Sequence, residues 1–269
     1  MKVFFNHFKQ TTSSNDIASE WLKQAEPGSV NVVTTDDQTG GRGQRGRAWD
    51  QRPGLDLAWS MAIKWPLEQH RGSKIPEPIL FNKAVAVAIW SLVDSALPGS
   101  ELTGIKWPND ILIRRDAGRM AWQKCAGMLI ENAWKGERWD GSVIGVGMNV
   151  NSDRSSESGR TSLRSETKKS WDISTLAIEL HETVMHQLQI LEKDGRQIES
   201  AYQQALIGTN HWLPFTLQAE PGWGKIHSVD LQGNLLMQWR MNETSKARDL
   251  SVAQSNQLRW DGLDSDASA

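Results

Sequence analysis

The chain has 269 residues, 38% hydrophobic and 23% charged, with a formal net charge of −2 and one cysteine, Cys125. That length allows one large domain, or a large and a small one, with ample core. The near-neutral balance excludes a global basic field that would draw nucleic acid, and one cysteine excludes a disulfide framework or a four-cysteine zinc site. A cytoplasmic protein is expected. The N-terminus lacks a secretory apolar core, and the longest apolar run, Ala84 to Trp90, is far short of a membrane span.

In chain order, residues 1–10 read as a short strand. Thr11-Thr12-Ser13-Ser14-Asn15 then leads into a helix over 16–25, with Ile17, Trp21, Leu22 and Ala25 at helical spacing and the Ser/Asn cluster as its cap. Pro27-Gly28 stops it. The β-branched run Ser29 to Thr35 predicts a strand, and the alternation of Leu55, Leu57, Trp59, Met61 and Ile63 predicts another. A helix is expected over 79–96, and two short strands around Pro108-Asn109-Asp110. Further strands are expected over 124–131 and 143–151. The polar, Ser-rich stretch 154–170 predicts a mobile loop. Leu176, Leu180, Val184, Leu188 and Leu191 form one stripe of a helix over 173–191, followed by a second helix over 198–206. From residue 215 short strands alternate with turns, including the hairpin signal Gln232-Gly233-Asn234. The reading is an α+β domain over 1–210, a small all-β barrel over 211–262 and a disordered tail over 263–269.

Four glycines and three arginines fall between Gly40 and Arg47. Glycine permits close backbone approach, exposed N–H groups form an anion-binding nest, and arginine supplies forked donors for carboxylate or phosphate. The stretch reads either as a loop that grips a compact anion or as a basic surface loop. Gly41, Gly43 and Gly46 match a dinucleotide fingerprint, but a strand rather than a helix is expected next, so no helix N-terminus would receive a pyrophosphate. His181-Glu182 and His186 are spaced i,i+5, which sends the two imidazoles off different faces of the helix. Cys125 reads as a small packed side chain.

Lys106-Trp107-Pro108-Asn109-Asp110 can present an amide and a carboxylate at a strand break, suited to a nucleotide or Mg²⁺, or can simply be an Asx turn. Lys124 precedes a tight Cys125-Ala126-Gly127 segment and reads as a second cation for an anion or as surface. Gly145 and Gly147 inside a strand suggest close approach of a ligand or another backbone, and Asn149 offers a donor and an acceptor.

Five clusters in this order, Ser13 to Asn15, Gln38 to Trp49, Lys106 to Asp110, Lys124 to Glu131 and Gly145 to Asn151, resemble the biotin protein ligase family. The resemblance implies a mixed β-sheet with helices on one side, followed by a barrel like Src-homology-3 domains. It implies activation of biotin by ATP to biotinyl-5′-adenylate, then transfer to a lysine of a biotin carboxyl carrier domain such as that of acetyl-CoA carboxylase. On that reading Ser13, Ser14 and Gln38 bind the ureido ring. Arg42 and Lys124 hold the carboxylate and α-phosphate, Gly41 and Gly43 let the loop close, and Gly127 admits the ligand. Gln44, Arg45 and Arg47 face the phosphates or the leaving pyrophosphate. Trp49 stacks on adenine with Asn149 at its edge. Asn109 and Asp110 lie at the reaction centre, Asp110 as general base or Mg²⁺ ligand. No tightly bound metal is expected, and the family admits a homodimer. Many relatives carry arginine where Gln44 stands, which would weaken adenylate retention unless Arg45 substitutes. Because the Ser-Ser-Asn cluster begins so early, no N-terminal DNA-binding helix-turn-helix and no DNA partner are expected.

Overall fold

The computed structural model describes residues 1–66, 77–97, 103–116, 119–157 and 159–260. The expected tail therefore lies outside the described residues. Seven strands form one sheet in the order β1-β2-β3-β7-β6-β5-β4. They are β1 (Lys2–Phe8), β2 (Ser29–Thr35), β3 (Leu57–Lys64), β4 (Thr103–Lys106), β5 (Asp110–Asp116), β6 (Arg119–Lys135) and β7 (Arg138–Met148). Only β1 and β2 run parallel; every other neighbouring pair is antiparallel.

The period-2 pattern of β3 divides the protein into two layers. Leu57, Trp59, Met61 and Ile63 enter the main core with α2 (Pro78–Ser95), α4 (Ile173–Lys193) and α5 (Gly195–Ala205). Ala62 points the other way, with Val33 and Val143, onto Ala18 and Leu22 of α1 (Ser14–Gln24). The helix layer expected on one side thus holds for α2, α4 and α5, and α1 covers part of the opposite face. Small residues make room for it: a methyl at Gly141 would lie 2.8 Å from Leu22 Cδ1. This second face, only partly covered, holds the site.

By length and apolarity α2 would suit a membrane span, but it is packed within the fold. Its Lys83 is buried, donating to Glu199 of α5 at 2.7 Å and to the Val229 carbonyl at 2.7 Å. Val229 belongs to a second, antiparallel sheet in the order β11-β10-β9-β8-β12. Its strands are β8 (Leu213–Leu217), β9 (Glu220–Val229), β10 (Leu235–Arg240), β11 (Arg248–Val252) and β12 (Leu258–Trp260). The small all-β unit expected from residue 215 is this sheet, and β11 is a strand the sequence did not reveal.

The stretch 154–170 is not the mobile loop expected. It contains the short α3 (Leu163–Thr167), whose N-cap Ser162 accepts from Ser165 N, and Arg154 is fully buried within it. Residues 159–161 run parallel to Lys124, with Lys124 N donating to Gly159 O at 2.8 Å and Thr161 N donating to Lys124 O at 3.0 Å.

Candidate active site

One cleft of about 660 Å³ opens on the α1 face of the large sheet and reaches Leu258, Arg259 and Trp260 of β12 and Ser255 in the 3₁₀ turn before it. Every site residue expected from the sequence lines it except Gly41.

At one end lies a small polar pocket. Ser13 is the N-cap of α1 but makes no side-chain capping bond, so the cluster is not merely a cap. Ser14, Asn15 and Ser60 are buried instead, and Ser60 Oγ lies 2.8 Å from Ser14 Oγ and 2.6 Å from Asn15 Oδ1. Gln38 Oε1 accepts from Ser14 N at 2.8 Å and from Ser14 Oγ at 3.0 Å. With its carbonyl anchored, Gln38 keeps an NH₂ group as the donor for a ligand. Gly145 has the same purpose by omission, because a methyl there would sit 2.2 Å from Asn15 Oδ1. Asn15 lines this pocket and Ser60 supports it from β3; in the sequence Asn15 reads only as part of the Ser-Ser-Asn cluster, and Ser60 is not singled out.

The glycine–arginine stretch closes on itself beside that pocket. Trp49 N donates to Gly41 O at 2.9 Å and Gly43 N to Arg47 O at 2.7 Å. Arg45 and Gly46 take positive φ, 57° and 76°, to make the tip, which is a single 3₁₀ turn over Gln44–Gly46. The strand β3 follows, as the rejection of the dinucleotide motif requires. Gly41 is lodged under the loop, where a methyl would meet the Trp49 carbonyl at 2.9 Å. The Trp49 indole lies on the sheet at Gly147, whose added methyl would be 2.1 Å from Trp49 Cε2. Its Nε1 is buried without a partner.

Arg42 and Lys124 line the same cleft but are paired with different carboxylates. The Arg42 guanidinium donates to Asp16 Oδ1 at 2.6 Å and lies 3.6 Å from Glu131 Oε2. Lys124 owes its orientation to a bulge. The β5–β6 register skips Cys125, so Lys124 takes the cleft face with Gly127 while Cys125 turns into the core. Burial pushes the Cys125 thiol up, out of the range of a nucleophile. Lys124 Nζ pairs with Asp110 Oδ1 at 2.6 Å and stands 5.4 Å from the Trp49 ring centroid. A methyl at Gly127 would be 3.0 Å from that Nζ and 3.3 Å from Asp110 Oδ1, so glycine leaves room for the pair.

Asn109 donates to Met128 O at 2.8 Å, which fixes the Trp107–Asp110 turn against β6. That turn contains a cis Trp107–Pro108 bond, and the Trp107 indole donates to Gly233 O in the turn between β9 and β10 at 3.0 Å. Asn149 is buried, its amide donating to Thr161 O at 2.9 Å and Lys124 O at 3.2 Å. Its donors are committed within the protein, so it shapes the cleft wall.

Beyond Asn149 lies a charged cluster absent from the sequence reading. Arg154 is fully buried and bonded to Asp50, Asp56 and Glu157, with Arg52 and Arg160 at its rim. Burial works against the Asp50 and Glu157 carboxylates, but the bonds and charge of the surrounding arginines hold both below the usual range. A resident metal does not fit at Asp110, whose carboxylate is engaged by Lys124. Among the described residues no group of three or more His, Cys, Asp or Glu side chains could hold a metal ion.

A mixed sheet whose open face carries a polar pocket, an arginine loop and a paired lysine has the fold of biotin protein ligases. The structure is similar to biotin protein ligase from Aquifex aeolicus in complex with biotin and ATP (TM-score 0.67, 17% identity, 96% of this chain and 99% of that one). It is also similar to the Leishmania major enzyme in complex with biotin (TM-score 0.53, 21% identity, 93% and 98%). Residues 7–149 match the biotin/lipoate A/B protein ligase family, and the chain belongs to it. Among curated relatives, the bifunctional ligase/repressor BirA of Escherichia coli is 28% identical over 84% of this chain and 66% of its own length. BirA of Bacillus spizizenii is 30% identical over 54% and 40%. The biotin–[acetyl-CoA-carboxylase] ligase of Mycobacterium tuberculosis is 31% identical over 52% and 47%. The chain thus spans between two fifths and two thirds of the length of these relatives.

Proposed function

We propose that the protein activates biotin with ATP to biotinyl-5′-AMP and transfers the biotinyl group to a lysine of a biotin carboxyl carrier domain, such as that of acetyl-CoA carboxylase. The observation that carries this reading is the cleft itself. It joins a pocket of uncharged donors and acceptors to a lysine beside an indole, with arginines on the covering loop.

A ureido ring needs donors for its carbonyl and acceptors for its N–H groups, and Ser13, Ser14 and Gln38 supply both kinds. The biotin carboxylate then attacks the ATP α-phosphorus. An O–P bond forms, the bond to the bridging oxygen breaks and pyrophosphate leaves. Two anions meet in that step, so positive charge must offset their repulsion. Lys124 supplies one cation; Arg42 supplies a second once it exchanges Asp16 and Glu131 for the ligand. Each charge-assisted hydrogen bond contributes about 1.5–3 kcal/mol, so two give about 10²–10⁴-fold. Gln44, Arg45 and Arg47, which line the cleft, are assigned to the phosphates and leaving pyrophosphate, and Trp49 to the adenine. Closure of the Gly41 and Gly43 loop keeps water from the mixed anhydride. In the second step a neutral carrier amine attacks the acyl carbon and AMP leaves; Asp110, turned from Lys124, accepts the amine proton. Mg²⁺ would arrive with the nucleotide. A cytoplasmic location without membrane or DNA partner, a homodimer, and the division at residue 210 belong to the same reading.

Biotin-dependent exchange of labelled pyrophosphate into ATP, compared with lipoate and octanoate, tests the substrate. Exchange with biotin alone is expected; exchange with lipoate and not biotin would replace biotin in the proposal.

A further inference from the structure

We infer that Arg154 is a positioning residue for the nucleotide end of the cleft, an inference that rests on the proposed adenylation. Its side chain is wholly buried, and all three guanidinium nitrogens are used. Nε donates to Ser152 Oγ at 3.0 Å, Nη1 to Asp50 Oδ2 at 2.8 Å and Glu157 Oε2 at 2.9 Å, and Nη2 to Asp50 O at 2.8 Å and Asp56 Oδ2 at 2.7 Å. Asp56, also fully buried, accepts from Val150 N through its other oxygen at 3.0 Å and from Arg52 N at 3.0 Å.

These bonds join two places in the chain. Asp50 follows Trp49, the indole over Gly147. Val150 follows Asn149, the residue that ties the wall at Lys124 to Thr161. Arg154 therefore clasps the base of the arginine loop to the segment beyond β7. A surface loop would not need such a clasp: an arginine buried with three carboxylates is held only where its geometry is fixed by full hydrogen bonding.

The sheet register shows which end of the cleft the clasp serves. Ser60 pairs with Gly145 at the polar pocket, and Ala58 pairs with Gly147 under Trp49. Asp56 lies four positions from Ser60, about 14 Å at roughly 3.4 Å per residue. The clasp adjoins Trp49 and lies away from Ser14 and Asn15; it reaches Gln38 through Gln51, which donates to Asp56 O at 3.1 Å and accepts from Gln38 N at 3.0 Å. Loosening it should move the indole and the wall at Asn149 more than the polar pocket, because Gln38 is also held by its bridge to Thr11 and its bonds with Ser14.

The test compares Arg154→Lys and Glu157→Gln with the unaltered protein. Lysine keeps the charge and loses the fork; Glu157→Gln removes one carboxylate and leaves Asp50 and Asp56 bound, so it remains informative if Arg154→Lys does not fold. Biotin binding without nucleotide and binding of a non-hydrolysable ATP analogue are measured by calorimetry, and the KM for ATP by pyrophosphate exchange. Arg154→Lys should weaken the analogue and raise the KM for ATP about 10- to 100-fold, the scale of a misplacement near 1 Å, with biotin affinity within about twofold. Glu157→Gln should move the same quantities in the same direction by less. Equal losses for biotin and nucleotide would reduce Arg154 to a structural residue, and unchanged nucleotide binding in a folded variant would overturn the inference. Absence of biotin-dependent exchange in the unaltered protein counts against the adenylation reading, while analogue binding still judges Arg154.

Discussion

Gly145→Ala tests the polar pocket from beneath. The new methyl would lie 2.2 Å from Asn15 Oδ1 and 2.8 Å from Asn15 Cγ, so Asn15 must give way. It is held there by the contact to Ser60 at 2.6 Å and by its bond to Glu131 at 2.9 Å. Each such bond contributes about 0.5–1.5 kcal/mol net, and forced overpacking costs about 1–3 kcal/mol. The variant should therefore fold with stability reduced by about 1–3 kcal/mol, a fall in Tm of roughly 2–5 °C for a chain of this size. Displaced Asn15 pushes on Ser14, its neighbour on α1, and through it on Gln38. Loss of one or two ligand bonds of this kind corresponds to about 10- to 100-fold weaker biotin binding. Calorimetric titration with biotin and a thermal melt read both quantities. A folded variant that binds biotin with unchanged affinity would refute the assignment of this pocket to the ureido ring.

Arg42→Ala should abolish adenylate formation while melting within about 1 kcal/mol of the unaltered protein, because its ion pair with Asp16 is half exposed. Near-normal pyrophosphate exchange would remove the loop's role. Asp16→Asn should release Arg42 and tighten adenylate binding by up to about fivefold, the scale of a surface ion pair, with the gain shrinking at high salt; unchanged or weaker binding would show that Asp16 does not compete for Arg42. Asp50 and Glu157 titrate below their ordinary values of 3.8 and 4.5, so the folded state binds their protons less readily than the unfolded chain. Their stabilisation is complete above those ordinary values and is lost as pH falls through the depressed ones. Melts across acid pH should show this loss, and Asp50→Asn should flatten it; an identical acid limb in the variant would contradict the sign.

The motif residues were legible because they combine an unusual composition with a backbone demand. Four glycines among arginines cannot form ordinary strand or helix, and Gly145 and Gly147 weaken a strand unless something must lie on it. The alternation in β3 was equally plain, since one face is buried in the larger core. Other features left no local signal. The strand β11, Arg248–Val252, has one buried side chain, Val252, so no alternation can be read. Placement of α1 opposite the other helices depends on small residues at 62, 141 and 145 that are distant in sequence. Arg154 in a Ser-rich stretch reads as a solvated cation, because its partners Asp50 and Asp56 are about a hundred residues earlier. The orientation of Lys124 depends on a bulge at Cys125 that strand periodicity does not announce.

The central claim is that this cleft makes and delivers an activated biotin. It is tested most directly by incubating the protein with biotin, ATP labelled in its α-phosphate, and an apo biotin carboxyl carrier domain. The account predicts biotinyl-AMP before carrier is added, then its disappearance in step with one biotin linked to the carrier lysine and release of labelled AMP. Biotin binding without labelled adenylate, or adenylate that never passes to the carrier, would contradict it.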